Sequence, residues 1–588
     1  MKVRKLLFVA VALLPAGLLI SSRASAQVTA DRMDALRVRM EQMKEFFQTL
    51  PDKHQKHVSG AALNLMHTAK EWDQMEERMR QGSLRPGQVH PGSLTSDLSG
   101  AKSSAASSDS SKLIQVSDPS NDFAFSVVTG FTQSETSTAW CGNNVVVGFN
   151  DSGSLPESIF FGPGGASSNG FARSTDQGKT FADQGFLNPG TNFFNFLAGD
   201  PVLGCASEST FHYSSLFETG TPRAPLSAIS VSISSNGGAT FGNPVVTASK
   251  DAFTHFLDKN WMAVNPTSPN RLFVTYTDFD ASGVCGFDPS GQLIPRIAIE
   301  LVRSTNGGTT WGSPVIIDQV CSPPTVPGLF VQGSQVAVGP AGEVYVAWEF
   351  FAADFVTREL RIRRSTDHGA TFAPFVKVDN VICVGDCFAL QGGFRDFLDL
   401  GSLVVDRSGT PSNGTVYIVW QDGRNLLVPD FGSLSGFYGY SDVLIRRSTD
   451  GGKTWSGAVR VNTNLEPLES GRGSDQYQPG AAVDNNGAVA ACFYDRRNDP
   501  ENFFIERFCA VSNDAGATWK NKRITERSFA PFHATDRFIN PTYMGDYDSL
   551  AGDFTQSRKG FIGAFQVIDK RGNPDVDATR FRVEDDDD

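Results

Sequence analysis

The chain has 588 residues, with 64 acidic against 51 basic side chains and a formal net charge of −13. That sign opposes a phosphate-backbone partner and excludes nucleic acid as the natural ligand. After residue 20 no stretch approaches the roughly 18 apolar residues that span a bilayer as a helix, so no transmembrane span is expected.

Residues 1–26 combine a basic start (Lys2, Arg4, Lys5), an apolar run from Leu6 to Ile20 and the small residues Ala24-Ser25-Ala26. This is the pattern of a secretory signal peptide and predicts export to the periplasm or the exterior. Removing it takes away four basic residues and no acidic ones, which moves the charge from −13 to −17. No Cys follows the apolar run, so no lipid anchor is expected. The eight cysteines all lie after residue 140, and an even count suits an oxidising compartment. Cys492 and Cys509 flank a short hairpin and are the pair expected to bridge. Cys383 and Cys387 stand in a C-x-x-x-C spacing with no nearby His, a poor zinc signal.

Residues 27–82 read as a helical hairpin. From Thr29 to Leu50 the apolar positions Met33, Leu36, Met40, Met43 and Phe47 recur at spacings of three and four, one stripe of a helix that Pro51 ends. A second stripe runs Val58, Ala62, Leu65, Ala69, Trp72, Met75 and Met79, with Gly82 as its C-cap. The Met-rich face is expected to dock on the main domain or on itself. Residues 83–111 form a Ser/Gly/Pro-rich linker, and residues 583–588 an acidic solvated tail.

Residues 112–582 repeat themselves. An octapeptide of Ser, any residue, Asp or Asn, any residue, Gly, any residue, Thr and an aromatic occurs six times, starting at Ser174, Ser234, Ser304, Ser365, Ser448 and Ser512. The mean period is about 68 residues, suited to a four-stranded blade with its loops. Its acidic or amide positions, Asp176, Asn236, Asn306, Asp367, Asp450 and Asp514, can accept hydrogen bonds from the turn backbone, while the Gly supplies a positive φ. These six are therefore read as structural. Apolar strand pairs precede each octapeptide, as at Val274-Thr275-Tyr276, Val346-Ala347-Trp348 and Ile418-Val419-Trp420. A seventh pair, Tyr547 to Val567, has none after it. Seven pairs predict an all-β, seven-bladed β-propeller, closed by an N-terminal strand near Leu113 to Val116; six blades is the alternative.

On these octapeptides the chain resembles the Asp-box (BNR-repeat) β-propellers of the sialidase superfamily. The resemblance places the boxes between third and fourth strands, on the face away from the usual site. The opposite face then carries Asp151, Asp278, Asp280, Asp422 with Arg424, and Asp495 with Arg496 and Arg497, which leave second strands. Asp200, Asp258 with Lys259, Asp399, Asp475, Asp546 and Asp548 lead into first strands.

A sialidase uses a tyrosine activated by a carboxylate, with arginines on the sugar carboxylate. The resemblance implies Tyr547, Glu469 and Asp495 as catalytic groups, and Arg472, Arg496, Arg424, Arg537, Asp258 and Asp546 as substrate-binding ones. Tyr547-Asp548-Ser549-Leu550 is similar to the tyrosine strand of that family. The Phe/Tyr-Arg-Ile-Pro motif that precedes the first box in sialidases does not occur; Arg173 belongs to the repeat, with Arg303, Arg364 and Arg447.

Asp278-x-Asp280-x-Ser282-Gly283 has the opening spacing of a calcium loop without the Glu at position twelve, a weak calcium candidate; no cofactor is otherwise required. Two functions follow. One is a sialidase-like propeller that binds or hydrolyses a glycan in its central funnel. The other is a non-catalytic propeller that binds protein or surface polymer through its helical hairpin. Oligomeric state is not encoded in these patterns.

Overall fold

The computed structural model describes the backbone of residues 14–29, residues 30–72 apart from 51–54, 56–57, 65, 69 and 71, and residues 113–581 apart from short stretches. Those stretches are 120–122, 125–128, 131, 325–327, 354–356, 388, 396–397, 434, 465–472, 532–535, 537–538, 540–542, 553–559 and 570–571. The expected linker and acidic tail lie outside the described residues.

Seven antiparallel sheets follow one another around an axis, each with its first strand innermost. Blade 1 is Gln133–Cys141, Asn144–Asp151, Asn169–Ser174 and Ala182–Phe186. Blade 2 runs Val202–Cys205, Phe211–Thr221, Ala224–Ser234 and Val245–Asp251, and blade 3 His255–Val264, Leu272–Asp280, Arg296–Ser304 and Val315–Cys321. Blade 4 is Phe330–Val338, Val344–Phe351, Thr357–Ser365 and Val376–Ile382; blade 5 is Leu400–Val405, Val416–Pro429, Phe437–Ser448 and Val459–Arg460. Blade 6 holds Gln476–Val483, Val489–Asp495, Glu506–Ser512 and Lys520–Arg523. Blade 7 holds Leu550–Gly552, Phe561–Ile568 and Pro574–Phe581, with Ile114–Gln115 as its outer strand. The propeller therefore has seven blades, and the N-terminal strand closes the ring at the expected place by pairing with the last strand of the chain.

The second strands are continuous apolar runs because both their faces are covered by neighbouring blades: Trp348, Trp420, Tyr276 and Tyr494 are wholly buried there. The octapeptide turns join third to fourth strands. In the first, the Ser174 hydroxyl accepts the Gly178 N–H (2.8 Å), and Asp176 accepts the N–H groups of Lys179 and Thr180 and the Thr180 hydroxyl (3.0, 3.0 and 2.7 Å). The same pattern recurs at Asp367, Asp450 and Asp514, while Asn236 and Asn306 reproduce the acceptor half and donate their Nδ2 to the threonine. Three of the four recurring arginines tether one turn to the next: Arg173 donates to the Gly237 carbonyl, Arg303 to His368, and Arg447 to Ala515, while Arg364 pairs with Glu343.

All eight cysteines are paired, as Cys141–Cys205, Cys285–Cys321, Cys383–Cys387 and Cys492–Cys509, the condition of an oxidising compartment. Among the described residues no helix is long and apolar enough to cross a membrane.

The N-terminal helix Leu14–Thr49 lies across blades 1 to 3. Its apolar stripe packs there: Phe46 and Phe47 meet Phe256 at 6.2 and 5.0 Å between ring centres. Arg39, 1% exposed, forms an ion pair with Glu218 of blade 2 (3.3 Å) and donates to the Thr219 carbonyl, while Arg32 donates to the Ile159 carbonyl (2.8 Å). Gln55 ties the following turn to the carbonyls of Phe47 and Leu50. The chain then turns inward, and residues 58–72 reach the axis. A further helix, Ser154–Phe161, is inserted between the second and third strands of blade 1.

Candidate functional site

The funnel is shaped by an irregularity repeated in the innermost strands. Pairing slips between Ser134 and Ser137, Asp258 and Trp261, Gln332 and Gln335, Leu400 and Ser402, and Tyr477 and Gly480. The extra residue, or the residue just ahead of the strand, takes a left-handed backbone at Glu135 (φ 51°), Asp200 (54°), Lys259 (53°), Gly333 (68°), Gln478 (48°) and Gly545 (84°). A bulge re-aims a side chain, and here it brings the charged side chains of blades 1 to 3 together at the funnel mouth.

Glu135 is the hub of the cluster. Its carboxylate accepts the Tyr543 hydroxyl (2.7 Å), the Asp546 N–H (2.9 Å) and the Asn150 side-chain amide (2.9 Å). Burial, reinforced by Glu135 and Asp546, pushes the Tyr543 phenol well above its ordinary range. Asp200 is wholly buried beside it, and neither of its carboxylate oxygens has a hydrogen-bond partner. Burial, with the Glu135 charge next, raises its pKa well above that of an ordinary carboxyl, which favours its neutral form. Asp258 is raised to about 6, chiefly by burial, against the bonds it accepts from Ser59.

Two cations balance part of this charge. Lys259 Nζ lies 3.5 Å from Asp546 and 4.0 Å above the Tyr547 ring. Burial opposes its charge, but Glu135, Asp546, Asp200 and Asp258 outweigh it and raise its pKa. Arg395 donates to Asp546 (2.7 Å) and to the Val58 carbonyl (2.8 Å). Although burial opposes it, Arg395 and Lys259 hold the Asp546 carboxyl below its ordinary value.

Of the residues expected from sequence, Asp258, Asp546 and Tyr547 meet around Lys259. The Tyr547 hydroxyl donates to the Pro201 carbonyl (2.9 Å) and its ring packs against Trp261, 5.5 Å between centres; no described carboxylate accepts from it. Glu469, Arg472 and Arg537 lie outside the described residues.

The second-strand charges do not join this cluster. Asp495 binds its own near neighbours, accepting from the Arg497 N–H and Nε (2.7 Å each) and from Gln476. Arg424 is held in the same way by Asp422, and also by Asp379. Arg496 is fully buried between Asp475 and the carbonyls of Gln391 and Asn502. A carboxylate followed two residues later by Arg closes its own turn, so these side chains are consumed locally.

His255, Asp278 and Asp280 offer ligand atoms within 4.8 Å of one another. The oxygens a calcium ion would need already hold cations: Lys250 and Arg296 lie 2.8 and 2.9 Å from Asp278, and Arg296 3.0 Å from Asp280. This donor set fits an ion-pair network better than a resident metal.

Sequence reasoning missed Glu135, Tyr543, Asn150 and Arg395. The available signal was the short acidic motif ahead of the inner strands, Gly199-Asp200, Asp258-Lys259 and Gly545-Asp546, which marks ring positions.

No protein-family model matches the chain, and no curated protein does. Many solved structures match it in fold. A Hadza microbial sialidase aligns at 14% identity and TM-score 0.38, over 65% of this chain and 65% of its own. The α-L-arabinofuranosidase Arb93A of Fusarium graminearum aligns at 13% identity and TM-score 0.36, over 65% of this chain and 92% of its own. A family PL25 ulvan lyase aligns at 11% and 0.43, over 77% of this chain and 94% of its own. At these identities the likeness is one of fold: this chain is a seven-bladed β-propeller, and its chemistry rests on its own residues.

Proposed function

We propose that the protein is an exported propeller of the Asp-box kind that acts on a glycan in its axial funnel. The observation that carries this reading is the Tyr543–Glu135 hydrogen bond, 2.7 Å, beside the wholly buried carboxyl of Asp200. A phenol hydrogen-bonded to a carboxylate is a nucleophile with its base, and a neutral carboxylic acid can protonate a leaving oxygen, the two roles glycoside cleavage requires. Burial keeps Tyr543 neutral until Glu135 takes its proton. Asp258 and Asp546 supply acceptors for sugar hydroxyls, and Lys259 and Arg395 supply donors.

The charge balance narrows the substrate. With Asp200 in the neutral acid role, three carboxylates, Glu135, Asp258 and Asp546, still outnumber the two cations, so an anionic sugar is opposed by the same field that suits an uncharged or amino sugar. The test is turnover of fluorogenic aryl glycosides, neutral, amino and sialic, by the purified protein. Hydrolysis that Tyr543→Phe abolishes and Tyr547→Phe retains is the expected result. Equal activity of wild type and Tyr543→Phe refutes the assignment.

A further inference from the structure

Residues 58–64 stand where a funnel ligand would stand. The Ser59 N–H donates to Asp258 (2.7 Å), the Gly60 N–H to Asp546 (2.6 Å), and the Val58 carbonyl accepts from Arg395. The turns that follow thus present the positive end of a helix to an acidic ring. Small residues make the approach feasible. A Cβ on Gly60 would lie 2.2 Å from the Tyr543 ring, and one on Gly199 would lie 2.8 Å from the Ala61 methyl. Between this segment and blade 1 there remains a cavity of about 40 Å³, lined in part by Asn64, Thr68, Asn150 and Gly199. Small-molecule sites occupy roughly 300–1,000 Å³, so this cavity does not hold a sugar while the segment is seated.

The seated segment satisfies the funnel only in part. Both Asp200 oxygens and Asp258 Oδ1 remain without a hydrogen-bond partner, and Lys259 Nζ has only its ion pair with Asp546 and the Tyr547 ring; unsatisfied buried polar groups are costly. A ligand that donates to Asp258 and Asp546, accepts from Arg395 and also reaches Asp200 makes every bond the segment makes and adds those it leaves unmade. The preceding helix has its own anchors, Arg39 to Glu218 and Arg32 to Ile159, so the segment can leave the axis while the helix stays docked.

We infer that the segment beginning at residues 58–64 is a displaceable plug, an internal competitor that gates the funnel against a polyhydroxylated ligand. The inference rests on the funnel being the ligand site, and its test separates the two claims. Gly60→Leu and Ala61→Glu each place bulk against the funnel wall without altering a funnel residue. Hydrogen exchange of residues 58–68 in the full chain, acylation of Lys259 and glycoside turnover are measured together.

In wild type the segment is expected to be protected and Lys259 to resist the reagent. In each variant segment exchange and Lys259 acylation rise together by about tenfold or more, equivalent to roughly 1.4 kcal/mol, while exchange of the second strands of blades 4 to 6 is unchanged. That invariance reports that the propeller is still folded. Glycoside kcat/KM rises in the same variants. An unprotected segment in wild type, or a freely exchanging segment with Lys259 still closed, overturns the plug. A Lys259 that opens with no glycoside turned over supports the plug and refutes the carbohydrate reading.

Discussion

Removing Arg39 should loosen the N-terminal helix in a pH-dependent way. Its guanidinium is 1% exposed, 3.3 Å from the Glu218 carboxylate, bonded to the Thr219 carbonyl and 4.2 Å above the Phe194 ring. Arg39→Met keeps the apolar stem and deletes the charge, leaving Glu218 buried with only the Ser227 hydroxyl (3.0 Å). Breaking one side of a buried pair costs about 3–5 kcal/mol when the remaining charge has no relief. Glu218 has relief, because burial already raises its pKa to about 7 with Arg39 in place. In the variant the carboxyl takes up a proton, at a cost that grows by about 1.4 kcal/mol per pH unit above its unburied value. The loss should therefore be larger at pH 8 than at pH 6. Hydrogen exchange of residues 30–49 reads it directly, and a 3 kcal/mol loss speeds exchange by about 10²-fold. Adding Glu218→Gln to Arg39→Met removes the stranded charge and should recover part of the protection. Effects that add within about 0.5 kcal/mol, or a loss independent of pH, would refute the argument.

The same physics should govern the whole molecule in mild acid. Burial raises Glu349 to about 8, Glu218 to about 7 and Asp548 to about 6. The folded state therefore binds more protons than the unfolded chain between about pH 5 and 8. Stability falls as pH rises through that window, and Tm should be higher at pH 6 than at pH 8; a flat or rising profile contradicts it. In the last octapeptide turn, Asp514→Ala deletes the acceptor of the Ala517 and Thr518 N–H groups and the Thr518 hydroxyl, and should cost about 1 kcal/mol. Asp514→Asn should be nearly neutral in thermal unfolding, since Asn236 and Asn306 already fill that place.

The blade repeat was legible because its chemistry is local: Ser, Asp and Gly of one octapeptide bond to each other, so each turn carries its own signature. Ring closure was legible for a related reason, since a seventh strand pair without an octapeptide and one apolar strand at Leu113 to Val116 leave one economical arrangement. The funnel was less legible. Glu135 and Tyr543 are 408 residues apart, and nothing near either one announces the other. Charge density misled in the opposite direction. The second-strand ends are as rich in Asp and Arg as the ring, but Asp422 with Arg424 and Asp495 with Arg497 close on themselves two residues on. Residues 60–64 are helical; that the backbone of Ser59 and Gly60 would bond to Asp258 and Asp546 has no side-chain signature at all.

The left-handed ring positions carry the strongest argument that the funnel is a working site. The bulges at Glu135, Lys259, Gly333 and Gln478 take φ between 48 and 68°, and glycine meets that need freely at Gly333. Fold alone would therefore be served by glycine at each of these positions. Glu135, Asp200, Lys259 and Gln478 instead hold this conformation with a Cβ, at about 1–3 kcal/mol each. Three of the four are charged and buried, which adds desolvation to backbone strain. Two of those three, Glu135 and Asp200, flank the Tyr543 hydroxyl or its base, and the third, Lys259, faces the carboxylate that grips residue 60. Side chains retained against both costs, on one side of one ring, are difficult to account for by packing. Substituting Gln478→Gly, at the uncharged member of the set, relieves strain and removes one bond, to the Gly545 carbonyl, whereas the corresponding change at Glu135 strands Tyr543, Asn150 and the Asp546 N–H without an acceptor and should lower Tm more. A Glu135→Gly variant at least as stable as Gln478→Gly would refute this reasoning.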